Sequence, residues 1–181
     1  MPPLALPDPP LSDGSIALRG FEGDDVEALV AALQDPEIPR WTLVPSPYGV
    51  ADARAYIRYV NAGRAAGTRL ALAIIAAGEP RSLLGSVALN PIDWRQGAAD
   101  VGYWLAAGAR GRGAATRAVE LLARWSLETL GLRRLELRAQ EDNHASRAVA
   151  ARAGFTPVAA PLIRRPECDH LPDVYFARER G

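Results

Sequence analysis

Seven consecutive residues, Arg110-Gly111-Arg112-Gly113-Ala114-Ala115-Thr116, lie between a strand-like run, Val101-Gly102-Tyr103-Trp104-Leu105, and a helix-like run that begins near Ala114. Small residues at a helix start leave backbone N–H groups uncovered and let a phosphate approach them, with the positive end of the helix dipole behind. Arg110 and Arg112 add two guanidinium groups suited to charge-assisted contacts with the same anion. Further along, Asn143-x-x-Ser146 follows a second strand-like run and opens a short helix, so Asn143 can cap that helix and Ser146 faces the same way one turn later. Asp93, Asp100 and Glu141 lie near strand ends and are the carboxylates available to accept a proton. His144 and His170 are isolated and lack ligand spacing, so no metal is expected.

Three kinds of phosphate loop compete for the Gly/Arg turn. A loop for nucleoside triphosphates needs a Gly-Lys-Ser/Thr sequence to reach the outer phosphates, and the chain has no lysine. A dinucleotide fingerprint needs Gly-x-Gly-x-x-Gly early in a parallel sheet; Gly111 and Gly113 fit, but Thr116 stands at the third glycine and antiparallel strands precede it. The third reading takes Arg110-x-x-Gly113-x-Ala115 as the loop that holds the pyrophosphate of coenzyme A.

The elements that must position these residues can be read from periodicity and breakers. Residues 15–19 suit a first strand, and Val26, Leu29, Val30 and Leu33 recur at helical spacing after Asp24. Residues 35–49, rich in Pro and aromatics, read as an ordered, non-regular loop in which Trp41 and Tyr48 are candidate walls of a substrate site. A helix over 51–66 ends at Gly67, followed by strand-like runs at 70–77, 83–89 and 99–105. Ala115, Ala118, Val119, Leu122 and Trp125 then share one helical face, and Leu135, Leu137 and Ala139 alternate as a strand, which makes a parallel β-α-β unit. A short helix follows over about 145–152, and runs at 158–164 and 174–178 read as a closing hairpin with the loop 166–172, a further wall of the acceptor site. The order describes a mixed-sheet α/β domain.

The bulk of the chain bounds what it can be. Its 181 residues suit one domain, read as 15–181, behind a loose Pro-rich arm over 1–14. Twenty-one basic residues, all Arg, balance 21 acidic ones, which gives no basic tract for nucleic acid and no acidic tail. One cysteine, Cys168, excludes an internal disulfide and, lying in the closing loop, argues against a covalent acyl-enzyme. The longest apolar stretch, Leu70 to Ala77, is far shorter than the roughly 20 residues of a membrane span. A cytoplasmic protein with no membrane partner is expected.

With Gly102-Tyr103-Trp104-Leu105, Arg110 to Thr116, Asn143-His144-Ala145-Ser146 and Ala153-Gly154-Phe155 in order, the chain resembles the GNAT family of N-acetyltransferases over residues 15–178, and within it the Rim-type branch that acetylates ribosomal-protein N-termini. The resemblance implies a mixed, mostly antiparallel sheet of about seven strands with four main helices. It also implies a slot where a bulged fourth strand splays from the fifth and pantetheine pairs with exposed backbone. On that resemblance acetyl-CoA is the donor, Arg110, Gly111, Arg112, Gly113, Ala114, Ala115 and Thr116 hold its pyrophosphate, and Tyr103, Trp104 and Leu105 supply the slot's backbone. A backbone N–H there, at Leu105, polarises the thioester carbonyl. Asn143 contacts the coenzyme, and Ser146 protonates the departing thiolate. Many relatives use a tyrosine where this chain has Ala150, and a Glu in strand five where it has Arg138. The acceptor is then a primary amine, on a protein N-terminus or a small molecule, attacking directly in a ternary complex. A non-catalytic acyl-CoA-binding regulator on the same fold is the alternative. Homodimers are common in the family, but the sequence marks no interface.

Overall fold

The computed structural model describes residues 3–163 and 173–181. Within them a single eight-stranded sheet runs through β1 (Leu11–Ser12), β2 (Ile16–Gly20), β3 (Leu70–Ala76), β4 (Leu83–Asp93), β5 (Ala98–Leu105), β6 (Arg134–Gln140), β7 (Thr156–Val158) and β8 (Asp173–Glu179). Its spatial order is β1-β2-β3-β4-β5-β6-β8-β7, antiparallel throughout except for the parallel pair β5–β6. That exception follows from the chain itself, because α4 (Ala114–Glu128) carries it back across the sheet between those two strands.

Helices cover both faces, so the middle strands are buried on both sides. Alternate side chains of β3 divide accordingly. Leu70, Leu72 and Ile74 join the core under α4 and α5 (His144–Arg152), while Ala71, Ala73 and Ile75 join the core under α1 (Val26–Ala32) and α3 (Val50–Ala65). This double burial explains why β3 reads as an unbroken apolar run rather than an alternating one.

The structure departs from the expected elements in three places. Residues 35–49 contain a short helix, α2 (Glu37–Trp41), where a wholly irregular loop was expected. Pro36 sits at its N-cap with φ −65°, a value proline already holds, and Pro39 falls in the first turn, where no intrahelical N–H bond is lost. Asp35 starts the turn, its carboxylate accepting Glu37 N–H (3.0 Å) and its carbonyl accepting Ile38 N–H (3.1 Å). The arm is not loose over its described part. Leu4 is 4% exposed within the core, its N–H donates to the Arg64 carbonyl (3.0 Å), and Arg64 Nη1 donates back to its carbonyl (2.9 Å). The closing hairpin begins earlier than expected, at Thr156, and its first strand ends at Val158. Beyond it the N–H groups of Leu162 and Ile163 turn inward to the buried Glu136 carboxylate (2.8–2.9 Å), which also pairs with Arg134 at 2.8 Å. The rest of the expected loop, with Cys168 and His170, lies outside the described residues.

Two glycines on facing strands have opposite requirements. A Cβ on Gly85 of β4 would run into the Trp104 carbonyl and the Leu105 backbone of β5, whereas one on Gly102 would meet nothing within 4 Å. Gly85→Ala should therefore destabilise the fold by roughly 1–3 kcal/mol, and Gly102→Ala should stay within about 0.5 kcal/mol of the parent. Urea denaturation of both variants checks this; equal losses would show that the two strands are not held that closely.

Candidate functional site

Strands β5 and β6 pair over only half their length. Their register runs from Ala98↔Arg134 to Val101↔Leu137 and stops there. Beyond that point β5 stays with β4 as far as Leu105↔Gly85, and β6 stays with β8 as far as Gln140↔Asp173. Residues 102–105 and 138–140 therefore border an open fork. The expected splay is present, but the irregularity in the β4–β5 register falls at Leu89/Ile92, where β4 carries the extra residue rather than β5. The fork opens into a cavity of about 890 Å³ that extends from the Gly/Arg turn, past α5, to α2.

Backbone polarity in the fork follows from alternation along a strand. Ala106 N–H donates to the Leu84 carbonyl on the β4 side, so the N–H and C=O groups of Leu105 and Tyr103 face the fork. The Leu105 carbonyl is held from that side by Arg110, through Nη2 at 2.9 Å and Nε at 3.2 Å. Arg110 Nη2 also lies 2.7 Å from the Asp35 carboxylate. Its charge thus ties the end of β5 to the start of α2 instead of standing free for an anion.

After Arg110 the chain takes two left-handed steps, Gly111 at φ +74° and Gly113 at φ +76°, the second serving as N-cap of α4. A side chain at either would cost roughly 1–2 kcal/mol in that conformation. The first amide to bond back is Arg117 N–H, to the Gly113 carbonyl (3.1 Å). Among the described residues, the N–H groups of Gly111 to Thr116 have no acceptor, and all of these residues except Arg112 line the cavity. Arg112 is exposed, and its carbonyl is braced by Arg117 Nη2 (3.0 Å). Arg117, which the sequence reading passed over, also pairs with Asp13 at 3.3 Å. Burial would raise the Asp13 carboxyl, but the amides of Ile16 and Ser15 together with Arg117 outweigh it and hold it below its usual range.

Across the fork, Asn143 caps α5 by accepting Ser146 N–H (3.0 Å). The Ser146 hydroxyl in turn accepts the Tyr103 hydroxyl (2.9 Å), which reaches it from β5. Burial pushes the Tyr103 phenol up to about 12, the bond to Ser146 opposing it, so the phenol stays protonated and donates at neutral pH. Ala150 is wholly buried in the core under α4 and does not line the cavity.

The opposite face of the fork is walled by Trp41 and Glu37 of α2, Tyr56 of α3, Ser86 and Ala88 of β4, Asp100, Gly102 and Trp104 of β5, Arg138 of β6 and Asp173 of β8. Tyr56 and Ser86 bond to each other at 3.3 Å, and burial raises the Tyr56 phenol. Tyr48, expected beside Trp41, is not on this wall. It is buried in the core under α3, where burial raises its phenol to about 12. Of the three candidate carboxylates, only Asp100 lines the cavity, at 4% exposure. Asp93 folds onto its own turn, bonded to the Gln96 side chain and to the amides of Gln96 and Arg95, which together lower its pKa. Glu141 is exposed outside the fork. No group of three metal-ligating side chains occurs among the described residues.

A model of the acetyltransferase (GNAT) domain matches residues 15–156. The uncharacterized N-acetyltransferase p20 of Bacillus licheniformis is 29% identical over 131 residues, 72% of this chain and 73% of that protein. Among solved structures, RimL, a ribosomal α-N-protein acetyltransferase in complex with coenzyme A, superposes with a TM-score of 0.80 at 22% identity, covering 94% of this chain and 96% of its own. The microcin self-immunity acetyltransferase MccE, in complex with acetyl-CoA and AMP, gives 0.77 at 23% identity over 93% and 94%. At these identities the two structures share the fold.

The Tyr103 phenol should ionise near pH 12 rather than near 10. Its contribution to stability is complete below about pH 10 and is lost as pH rises through 12, because the unfolded chain gives up that proton first. Ultraviolet difference titration of the wild type against Tyr103→Phe checks this; loss of a phenol that titrates near 10 would contradict it.

Proposed function

This chain belongs to the acetyltransferase (GNAT) domain family, and from that premise we propose that it moves the acetyl group of acetyl-CoA onto a primary amine, with a protein or peptide α-amine as the favoured acceptor, by direct attack in a ternary complex. The observation that carries the proposal is the joining, in one cavity, of free amides at the start of α4 with a fork of unpaired strand backbone. Each fits one part of the donor. A pyrophosphate suits the amides of Gly111 to Thr116 and the helix dipole behind them. A pantetheine arm carries amide groups that can pair with the fork-facing backbone of Tyr103.

The chemistry then follows from the walls. The neutral amine attacks the thioester carbonyl carbon, and the Leu105 N–H receives the oxyanion that forms. As the tetrahedral intermediate collapses the C–S bond breaks, and the thiolate takes the proton of Ser146. Tyr103, already donating to Ser146, passes its proton on to that oxygen, and the phenol regains a proton from solvent as the products leave. The proton released by the nitrogen passes to Asp100, directly or through water. Positioning of the two substrates supplies much of the rate enhancement.

The acceptor enters from the α2–α3 face, because Gly102 has no side chain and leaves the fork open to it. The favoured acceptor rests on the likeness to RimL, a ribosomal α-N-protein acetyltransferase. The regulator alternative rests on the absence of a tyrosine at Ala150 and of an assigned base; Tyr103 brings a phenol to Ser146 by another route, and Asp100 lines the cavity.

Incubation with acetyl-CoA and a panel of amines should release thiol and leave peptides acetylated at the α-amine, with intersecting initial-rate lines. Tight acetyl-CoA binding without turnover on any amine would favour the regulator. Ser146→Ala should lower kcat about a hundredfold or more. Gly113→Ala should raise the KM for acetyl-CoA about tenfold through its left-handed backbone strain; a change confined to the amine KM would remove this turn from the donor site.

A further inference from the structure

Arg138 is the first residue of β6 beyond the last paired position, Val101↔Leu137, so it stands at the apex of the fork. Its neighbours Leu137 and Ala139 point into the core under α4, which turns Arg138 to the opposite face, the one walled by α2 and α3. The side chain is 10% exposed, yet it lines the cavity. Its Nε and Nη1 are buried and make no hydrogen bond among the described residues. The nearest groups are the Asp173 carboxylate, an ion pair at 3.5 Å from Nη1, and the Tyr175 ring, 5.4 Å from the guanidinium carbon. Three other arginines are bonded more fully: Arg110 holds a carbonyl and a carboxylate, Arg19 holds Asp25 at 2.6 Å, and Arg134 holds Glu136 at 2.8 Å.

A guanidinium keeps its charge and its five N–H donors at any ordinary pH. Burying a guanidinium with so few acceptors is costly, so a ligand oxygen that meets its cavity-facing edge gains a strong, charge-assisted bond. Asp100, on the same face of β5 and also lining the cavity, is the group that receives the amine's proton in the proposed reaction. The two features ask for an acceptor that carries an amine and an oxygen acceptor close together.

We propose that Arg138 binds the carbonyl or carboxylate oxygen attached to the carbon that bears the acceptor's amine, and so selects α-amino acyl groups over the amines of polyamines and amino sugars. This rests on the acetyltransferase reading and narrows its substrate class. A peptide N-terminus and a free amino acid present the same amine-carbon-oxygen arrangement and differ only in the charge of the oxygen.

The test compares alaninamide with isopropylamine, which has the same branched amine without the carbonyl. In Arg138→Gln the ratio of kcat/KM for alaninamide to that for isopropylamine should fall roughly tenfold to a hundredfold. Arg138→Lys, which keeps the charge beside Asp173 but loses the planar fork of donors, should fall between. Free alanine and an alanyl peptide amide, run in parallel, distinguish a carboxylate from a peptide carbonyl as the preferred oxygen. Equal losses on both amines in the two variants would overturn the inference and leave the acetyltransferase reading intact. Retained acetyl-CoA binding with no turnover of any amine by the wild type would overturn both.

Discussion

Two adjacent strands that stop pairing with each other, while each remains paired on its far side, leave backbone groups that no part of the sheet can satisfy. That constraint organises this protein. β5 follows β4 to Leu105, β6 follows β8 to Gln140, and the parallel contact between them ends at Val101 and Leu137. The fork is stable because each strand keeps a full antiparallel partner. It is open because the exposed Gly102 sits at its apex and Gly85 lets β4 close tightly on β5.

What surrounds the fork can be understood as support for its edges. Arg110 holds the Leu105 carbonyl and reaches Asp35 at the start of α2, so one guanidinium joins the loop before α4, the tip of β5 and the helix that carries Trp41 and Glu37. Asn143 sets the first turn of α5 and with it Ser146, which Tyr103 meets from across the fork. Glu136 draws the amides of Leu162 and Ile163 to the back of β6, and Leu4 pins the N-terminal arm against the end of α3. Cavity-facing groups are therefore held by the backbone and by hydrogen bonds from neighbouring elements.

Some of this is written locally and was legible. Gly111 and Gly113 are needed because the backbone there is left-handed, and that demand appears in the sequence as glycine. Asn143 reads as a cap because its side chain serves an amide three residues on. The short α2 was missed because Pro36 and Pro39 look like breakers, although each falls where a helix has no amide to lose. Trp41 and Tyr48 share a Pro-rich segment and looked equivalent. Packing turned one to the cavity and the other into the core.

By itself the sequence determined the α/β class, the left-handed Gly/Arg turn before α4, the cap at Asn143 and the likeness to one enzyme family, all of which follow from conformational demands spanning a few residues. Tertiary structure alone decided that Arg110 is committed to Leu105 and Asp35, that Asp100 rather than Asp93 or Glu141 reaches the cavity, and that Tyr103 bonds to Ser146 forty-three positions away. It also decided that Arg138 lies buried at the fork with donors to spare. The division has a physical cause. Backbone conformation and capping are short-range and leave a residue-type signature in place, whereas the partner of a long side chain depends on which strands diverge, and that is a property of the whole sheet.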